Sequence, residues 1–214
     1  EFQATKNMGI VKQGKYIYCI NRFPDKVIKI DSETKEVNMF SVDNKAYINE
    51  KAESCIYRLY RNPCIYKNKI VFSNYGGVLV FFDLESEQFT IELFKMPDQT
   101  ILERTRRIYE DGLNDWIVDV CNFEDELWLV SFNGKIYRYY DGKSELQDKS
   151  YAGLIHYQDT DDIVIPFFGQ AICMGKKLLL IPQYKNKCVY YNFETNKFEI
   201  IFKDYLENWK GYKR

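Results

Sequence analysis

The stretch HYQDTDD sets the chain's single histidine, His156, close to Asp159, Asp161 and Asp162. Clustered carboxylates of this kind can ligate calcium through hard oxygens or act as general acid and base. A calcium loop of the helix-loop-helix type also needs a glycine and a distal glutamate at fixed offsets, and neither is present, so the stretch reads as an acidic solvated loop. No Ser or Cys motif supplies a nucleophile for His156. A second cluster, Arg104, Arg106 and Arg107 in DQTILERTRRIYEDG, offers forked donors to a phosphate, a sulfate or an acidic sugar. The same stretch predicts a short helix, with Ile101, Thr105 and Ile108 on one face, Asp98 able to cap its start and Gly112 its end. Glu103 stands four residues before Arg107 and Arg106 four before Glu110, so local ion pairs are the simpler use of these charges. Arg104, Arg107 and His156 are candidate ligand contacts on this reading.

What must position these residues is a repeat. VFFDLESEQF, at 80–89, reads as a strand, a sharp turn and the start of another strand, and its pattern occurs four times. The copies are GKYIYCINRFPDKVIKIDSETKEVNMF from Gly14, NKIVFSNYGGVLVFFDLESEQFTIELF from Asn68, DELWLVSFNGKIYRYYDGKSELQ from Asp125 and KKLLLIPQYKNKCVYYNFETNKFEIIF from Lys176. Each contains an anchor pair: Asp31 with Thr34, Asp83 with Ser86, Asp141 with Ser144, Asn192 with Thr195. Asp and Asn side chains accept hydrogen bonds from backbone amides about two residues on, as a tight hairpin turn requires. Successive anchors lie 52, 58 and 51 residues apart.

A further apolar segment precedes each copy: MGIVK (8–12), PCIYK (63–67), WIVDV (116–120) and GQAICM (169–174). Each unit therefore reads as four antiparallel strands, and a period near 50 residues with four strands per unit is the signature of propeller blades. The second strands are apolar at consecutive positions, as strands covered on both faces are. NKIVFSNYGGVLVFFDLESEQF resembles a kelch-type repeat: an apolar strand, paired glycines (Gly76 and Gly77), a strand ending in Asp, then Ser/Thr and an aromatic. The other copies carry NRFPDK, FNGK and QYKNK at the glycine pair, and the resemblance to β-propeller repeat proteins in general covers all four units. It implies an all-β β-propeller of four four-stranded blades, over approximately 7–42, 61–94, 115–148 and 169–203. The expectation is one domain over 1–214, either closed as a ring or part of a larger propeller, with short helical connectors.

Antiparallel order puts the first-to-second and third-to-fourth turns at one end of every blade, and these are short and stereotyped. The second-to-third loops and the long connectors share the other end and differ from unit to unit, which is where repeat scaffolds concentrate binding groups. Phe23, Tyr75, Phe132 and Tyr184 recur there, suited to stacking on sugar rings, to anchoring a protein, or to packing on the next blade. Asn62, Trp116, Phe168 and Gly169 flank the starts of the innermost strands.

Charge narrows the partners. The 30 basic and 31 acidic residues leave a net charge of -1, without the positive field that nonspecific nucleic-acid binding requires. No run approaches the length of a membrane helix, and the N-terminus, which does not begin with Met, lacks the zones of a signal peptide, so a soluble chain of open localisation is expected. The six cysteines contain no CxxC pair, which argues against structural zinc and for buried thiols, with a disulfide between distant strands left open. An excess of lysine over arginine, with abundant Asn, Ile and Tyr, suggests an AT-rich, bacterial genome. No cofactor motif is present. The function expected is a non-catalytic module that binds a protein or glycan through the variable face. The alternative is a carbohydrate-active hydrolase or lyase, with Asp159 or Asp162 facing Glu110 or Asp115.

Overall fold

The computed structural model describes residues 7–21, 26–42, 62–73, 78–93, 117–131, 135–140, 142–147, 168–182 and 188–201. They form four antiparallel sheets of four strands, each a meander in chain order. Blade 1 is β1 (Asn7–Gln13), β2 (Tyr16–Asn21), β3 (Lys26–Asp31) and β4 (Val37–Ser41). Blade 2 is β5 (Cys64–Tyr66), β6 (Lys69–Ser73), β7 (Val78–Asp83) and β8 (Phe89–Leu93). Blade 3 is β9 (Ile117–Phe123), β10 (Glu126–Ser131), β11 (Ile136–Tyr140) and β12 (Lys143–Leu146). Blade 4 is β13 (Phe168–Met174), β14 (Lys177–Pro182), β15 (Val189–Asn192) and β16 (Lys197–Ile200). Among the described residues there is no helix, and the helical connector expected over 98–112 lies outside them.

The turns follow from local chemistry. The first hairpin of every blade closes with two residues, and in blades 2 and 3 both have positive φ: Lys67 (43°) and Asn68 (57°), Glu124 (50°) and Asp125 (59°). That is a type I′ turn, whose twist matches the flanking strands. Blades 1 and 4 put a glycine first instead, Gly14 (φ 57°) and Gly175 (φ 60°). The third-to-fourth turns use the anchor side chains as expected. Asp31 Oδ1 accepts the Glu33 and Thr34 amides at 2.9 and 3.1 Å. Asp83 Oδ1 accepts those of Glu85 and Ser86 at 3.1 and 2.9 Å, and Asn192 Oδ1 those of Glu194 and Thr195 at 3.0 and 3.2 Å. Asp141 lies outside the described residues.

The second strands are covered on both sides, as their unbroken apolar runs predict. Ile70, Val71 and Phe72 are each 0% exposed although consecutive strand residues point to opposite faces.

The chain divides into two compact units, residues 1–95 and 96–214. In the first, blade 1 packs its Tyr18, Ile20 and Val27 side against Ile70, Phe72, Val80 and Phe82 of blade 2. Phe82 is the centre of this core, with ring centroids 6.2 Å from Tyr18, 5.0 Å from Phe40 and 4.9 Å from Phe89. Burying each such side chain contributes about 1.5–3 kcal/mol, so this layer outweighs the Lys29–Glu87 ion pair at its rim, 2.5 Å long. In the second unit, blade 3 meets blade 4 through rings. Phe123 stacks on Phe193 at 4.2 Å, and Trp128 lies 5.9 Å from Tyr191 and 4.7 Å from Phe193.

Register fixes which residues are equivalent between blades. Tyr16, Lys69, Glu126 and Lys177 each open a second strand opposite the last residue of the first strand. Counting on from them, Ile17, Ile70, Leu127 and Leu178 correspond, as do Tyr18, Val71, Trp128 and Leu179.

Candidate binding site

The inner strands share a distortion at their starts. The ladder slips by one residue between Asn7 and Gly9 in β1, between Ile117 and Asp119 in β9, and between Phe168 and Gln170 in β13. Such a β-bulge leaves one residue unpaired, bends the strand and re-aims the side chain that follows. The residues after the bulge are Gly9, Asp119 and Gln170, and Asn62, two before Cys64, holds the same position ahead of β5. Three of these four are polar, in strands that are otherwise mostly apolar.

Asp119 is 1% exposed, and burial of a carboxylate demands compensating donors. Its Oδ1 accepts the amide of Val120 at 3.0 Å, and its Oδ2 accepts that of Ala171, on the inner strand of the next blade, at 2.7 Å. The equivalent place in the first unit is built from the opposite chemistry. Gly9 has no side chain to offer, and Pro63, the counterpart of Ala171, has no amide hydrogen to donate. A Cβ on Gly9 would lie 2.0 Å from Pro63 Cδ, so the close approach of the two strands requires glycine there.

Second strands end at the same level. Ser73 and Ser131 are each 0% exposed; Ser131 Oγ accepts the Lys135 amide at 3.0 Å, while Ser73 Oγ has no partner among the described residues. The far end of the blades is closed on itself. In blades 1, 2 and 4 the residue after the anchor donates its amide to a carbonyl of the first turn: Ser32 to Lys15 at 2.9 Å, Leu84 to Asn68 at 3.1 Å and Phe193 to Lys176 at 3.1 Å. Lys15 adds an ion pair to Asp31 at 2.8 Å, and this ammonium with the turn amides holds the Asp31 carboxyl down to about 2.

Of the residues expected to bind, Asn62 is half-buried, at the position that follows the bulge in the other blades, and has partners. Phe168 opens β13 opposite Pro182. Phe23, Tyr75, Arg104, Arg107, Trp116, Phe132, His156 and Tyr184 lie outside the described residues. Asp119 was not among the expected site residues; the signal for it is an acidic residue inside the apolar WIVDV. Cys19, Cys173 and Cys188 are thiols, and burial pushes the pKa of each up. Among the described residues, no three potential metal ligands cluster.

No protein-family model matches the chain, and no curated protein does. Solved structures match in fold. The chain is similar to a streptogramin B lyase (TM-score 0.55, 12% identity, 92% of this chain and 54% of that one). It is similar to BamB from Moraxella catarrhalis (TM-score 0.55, 13% identity, 91% and 51%). An auxiliary nutrient binding protein from Bacteroides thetaiotaomicron matches with a TM-score of 0.57 at 14% identity, over 92% of this chain and 42% of that one. The fold is a β-propeller. The chain spans about half the length of these structures or less, and by their names they include both a binding protein and an enzyme.

Proposed function

We propose that the chain is a non-catalytic binding module that recognises a protein or glycan through the variable-loop end of its blades. The observation that carries this reading is the contrast between the two ends. One end closes its own backbone groups in blades 1, 2 and 4, whereas the other carries bulges in blades 1, 3 and 4 and sets the polar residues Asn62, Asp119 and Gln170 at equivalent positions, at the end where the loops differ in sequence. On this reading Phe23, Tyr75, Phe132 and Tyr184 supply stacking surfaces, and Asn62, Trp116 and Phe168 lie at the strand starts. Arg104, Arg107 and His156 contribute from the connectors, and the repeat is of a degenerate kelch-like type. The alternative, a carbohydrate-active hydrolase or lyase, needs two carboxylates converging at about 5–10 Å; Asp159, Asp162, Glu110 and Asp115, the acids expected for it, lie outside the described residues.

A glycan array probed with the purified chain, beside the Tyr75→Ala/Trp116→Ala double variant, tests the proposal. Selective binding that disappears in the variant is the expected result for a sugar ligand. Binding to no glycan overturns the sugar reading and leaves a protein ligand, while release of reducing ends from a bound glycan overturns the non-catalytic reading.

A further inference from the structure

The seam between blades 3 and 4 carries a matched pair of thiols. Cys121 pairs in register with Trp128, whose ring meets Tyr191 and Phe193 of blade 4, so Cys121 lies on the side of β9 that faces blade 4. Cys173 pairs with Leu178, and Leu178 with Tyr191, so Cys173 lies on the side of β13 that faces blade 3.

Contacts along the seam set their level. Near the start of both strands, Asp119 Oδ2 accepts the Ala171 amide at 2.7 Å. At the end of β9, Phe123 stacks on Phe193, whose amide is held by Lys176 in the turn that follows β13, so the two strands run the same way. Cys121 stands two residues after Asp119 and Cys173 two after Ala171, each on the same side of its strand as the residue it follows. The two thiols therefore stand opposite one another, between the Asp119 hydrogen bond and the Phe123 stack. Packing does not require sulfur there. In the first unit the equivalent seam sets Gly9 against Pro63, and two residues on from each come Val11 and Ile65, the register partners of Tyr18 and Ile70. Ordinary apolar side chains fill both places in one joint, and cysteines fill both in the other.

We propose that Cys121 and Cys173 form a redox-controlled disulfide that locks blade 4 to blade 3. Both are thiols in this structure. At Asp119 one carboxylate side chain and one hydrogen bond span the seam, and a disulfide bridges a comparable gap, about 4.4–6.8 Å between Cα atoms. Cys173 is half-buried and Cys121 is 5% exposed, so Cys173 is the sulfur that meets an oxidant. Its thiol donates to the Gly175 carbonyl at 3.7 Å, a weak contact that rotation about χ1 releases. The oxidant is a small disulfide of the glutathione class. The Cys173 thiolate attacks one of its sulfurs and expels a thiolate, leaving a mixed disulfide; the Cys121 thiolate then attacks Cys173 Sγ and expels the second. Two protein thiols become one disulfide, the oxidant is reduced to two thiols, and the two protons lost by the protein are taken up by the released thiolates. Burial raises the pKa of the Cys173 thiol, so exchange is slow at neutral pH and quickens in alkaline buffer. The bond closes 52 residues of chain and fixes the spacing of the inner strands that carry Asp119 and Gln170.

Incubation of the whole chain with oxidised glutathione in mildly alkaline buffer, then proteolysis and mass spectrometry without reduction, tests this. The expected product joins the Cys121 peptide to the Cys173 peptide and is reversed by dithiothreitol. Its melting midpoint should lie about 5–15 °C above that of the reduced chain. Cys121→Ala should halt the reaction with glutathione still bound to Cys173, and Cys173→Ala should leave Cys121 unmodified in the folded chain. Cys121→Val, the residue type at Val11, replaces Cys121→Ala if the circular dichroism of that variant departs from the parent's, and the peptide map of the parent needs no variant at all. The proposal is overturned if the two peptides are recovered unjoined or if either cysteine is joined to another of the six. A joined pair that leaves the midpoint unchanged overturns the lock.

Discussion

Asp31 gathers three donors on one carboxylate, the Lys15 ammonium and the amides of Thr34 and Glu33, and they hold its pKa at about 2 against an ordinary 3.8. The folded state therefore favours the ionised form. Its contribution to stability is complete above the ordinary value and disappears as pH falls through 3.8 towards about 2. Asn192 forms the same turn in blade 4 with a side chain that does not titrate. Asp31→Asn should accordingly keep the turn, lose the Lys15 pair and lose the titration. Urea midpoints should show the variant less stable at neutral pH, with the difference from the parent shrinking below pH 4. A difference that stays constant down to pH 2 would refute this account. Asp83, lowered by the amides of Ser86 and Glu85, leaves a residual acid slope in both proteins.

Between elements, the Asp119 carboxylate joins two inner strands through backbone amides. Asp119→Ala orphans the Ala171 and Val120 amides in a site that is 1% exposed, at a cost of about 1–3 kcal/mol for each amide that finds no water. Asp119→Asn, which keeps one good acceptor, should lose less; guanidinium denaturation of the two variants checks the order, and equal losses would mean that the joint depends on packing alone. How far such elements are legible in sequence depends on the range of the chemistry. The anchor turns are local, since Asp83 and Ser86 hold one another three residues apart, and their spacing alone discloses the hairpins. The bulges are not legible, because GIV, IVDV and GQAI read alike whether the ladder slips or not. An acidic residue within an apolar strand signals that something compensates it, but the compensating amide lies 52 residues away. Gly9 reads as an ordinary strand glycine until Pro63 is beside it.

Across the whole molecule, stability is divided between two cores, and each has a ring-rich centre. Phe82 is fully buried among three other aromatic rings, and Phe82→Ala should cost about 3–5 kcal/mol. Unfolding followed separately by amide exchange in residues 1–95 and 96–214 should show protection falling first in the unit that contains the substitution; a uniform loss would make the chain one cooperative body. The repeat period made the four blades readable, whereas the partner of each sheet face emerged only from register. The two joints also bear on inheritance. Gly9 tolerates a proline nitrogen because it brings no acceptor, and Asp119 needs a neighbour that brings a hydrogen. A recombined gene that set Asp119 against Pro63 would strand a buried oxygen, and one that set Gly9 against Ala171 would strand an amide. Although the blades share one pattern, they are not interchangeable parts: each of the two joints is matched to its own pair, and shuffling or exchange of blades between molecules is disfavoured at each mismatched seam.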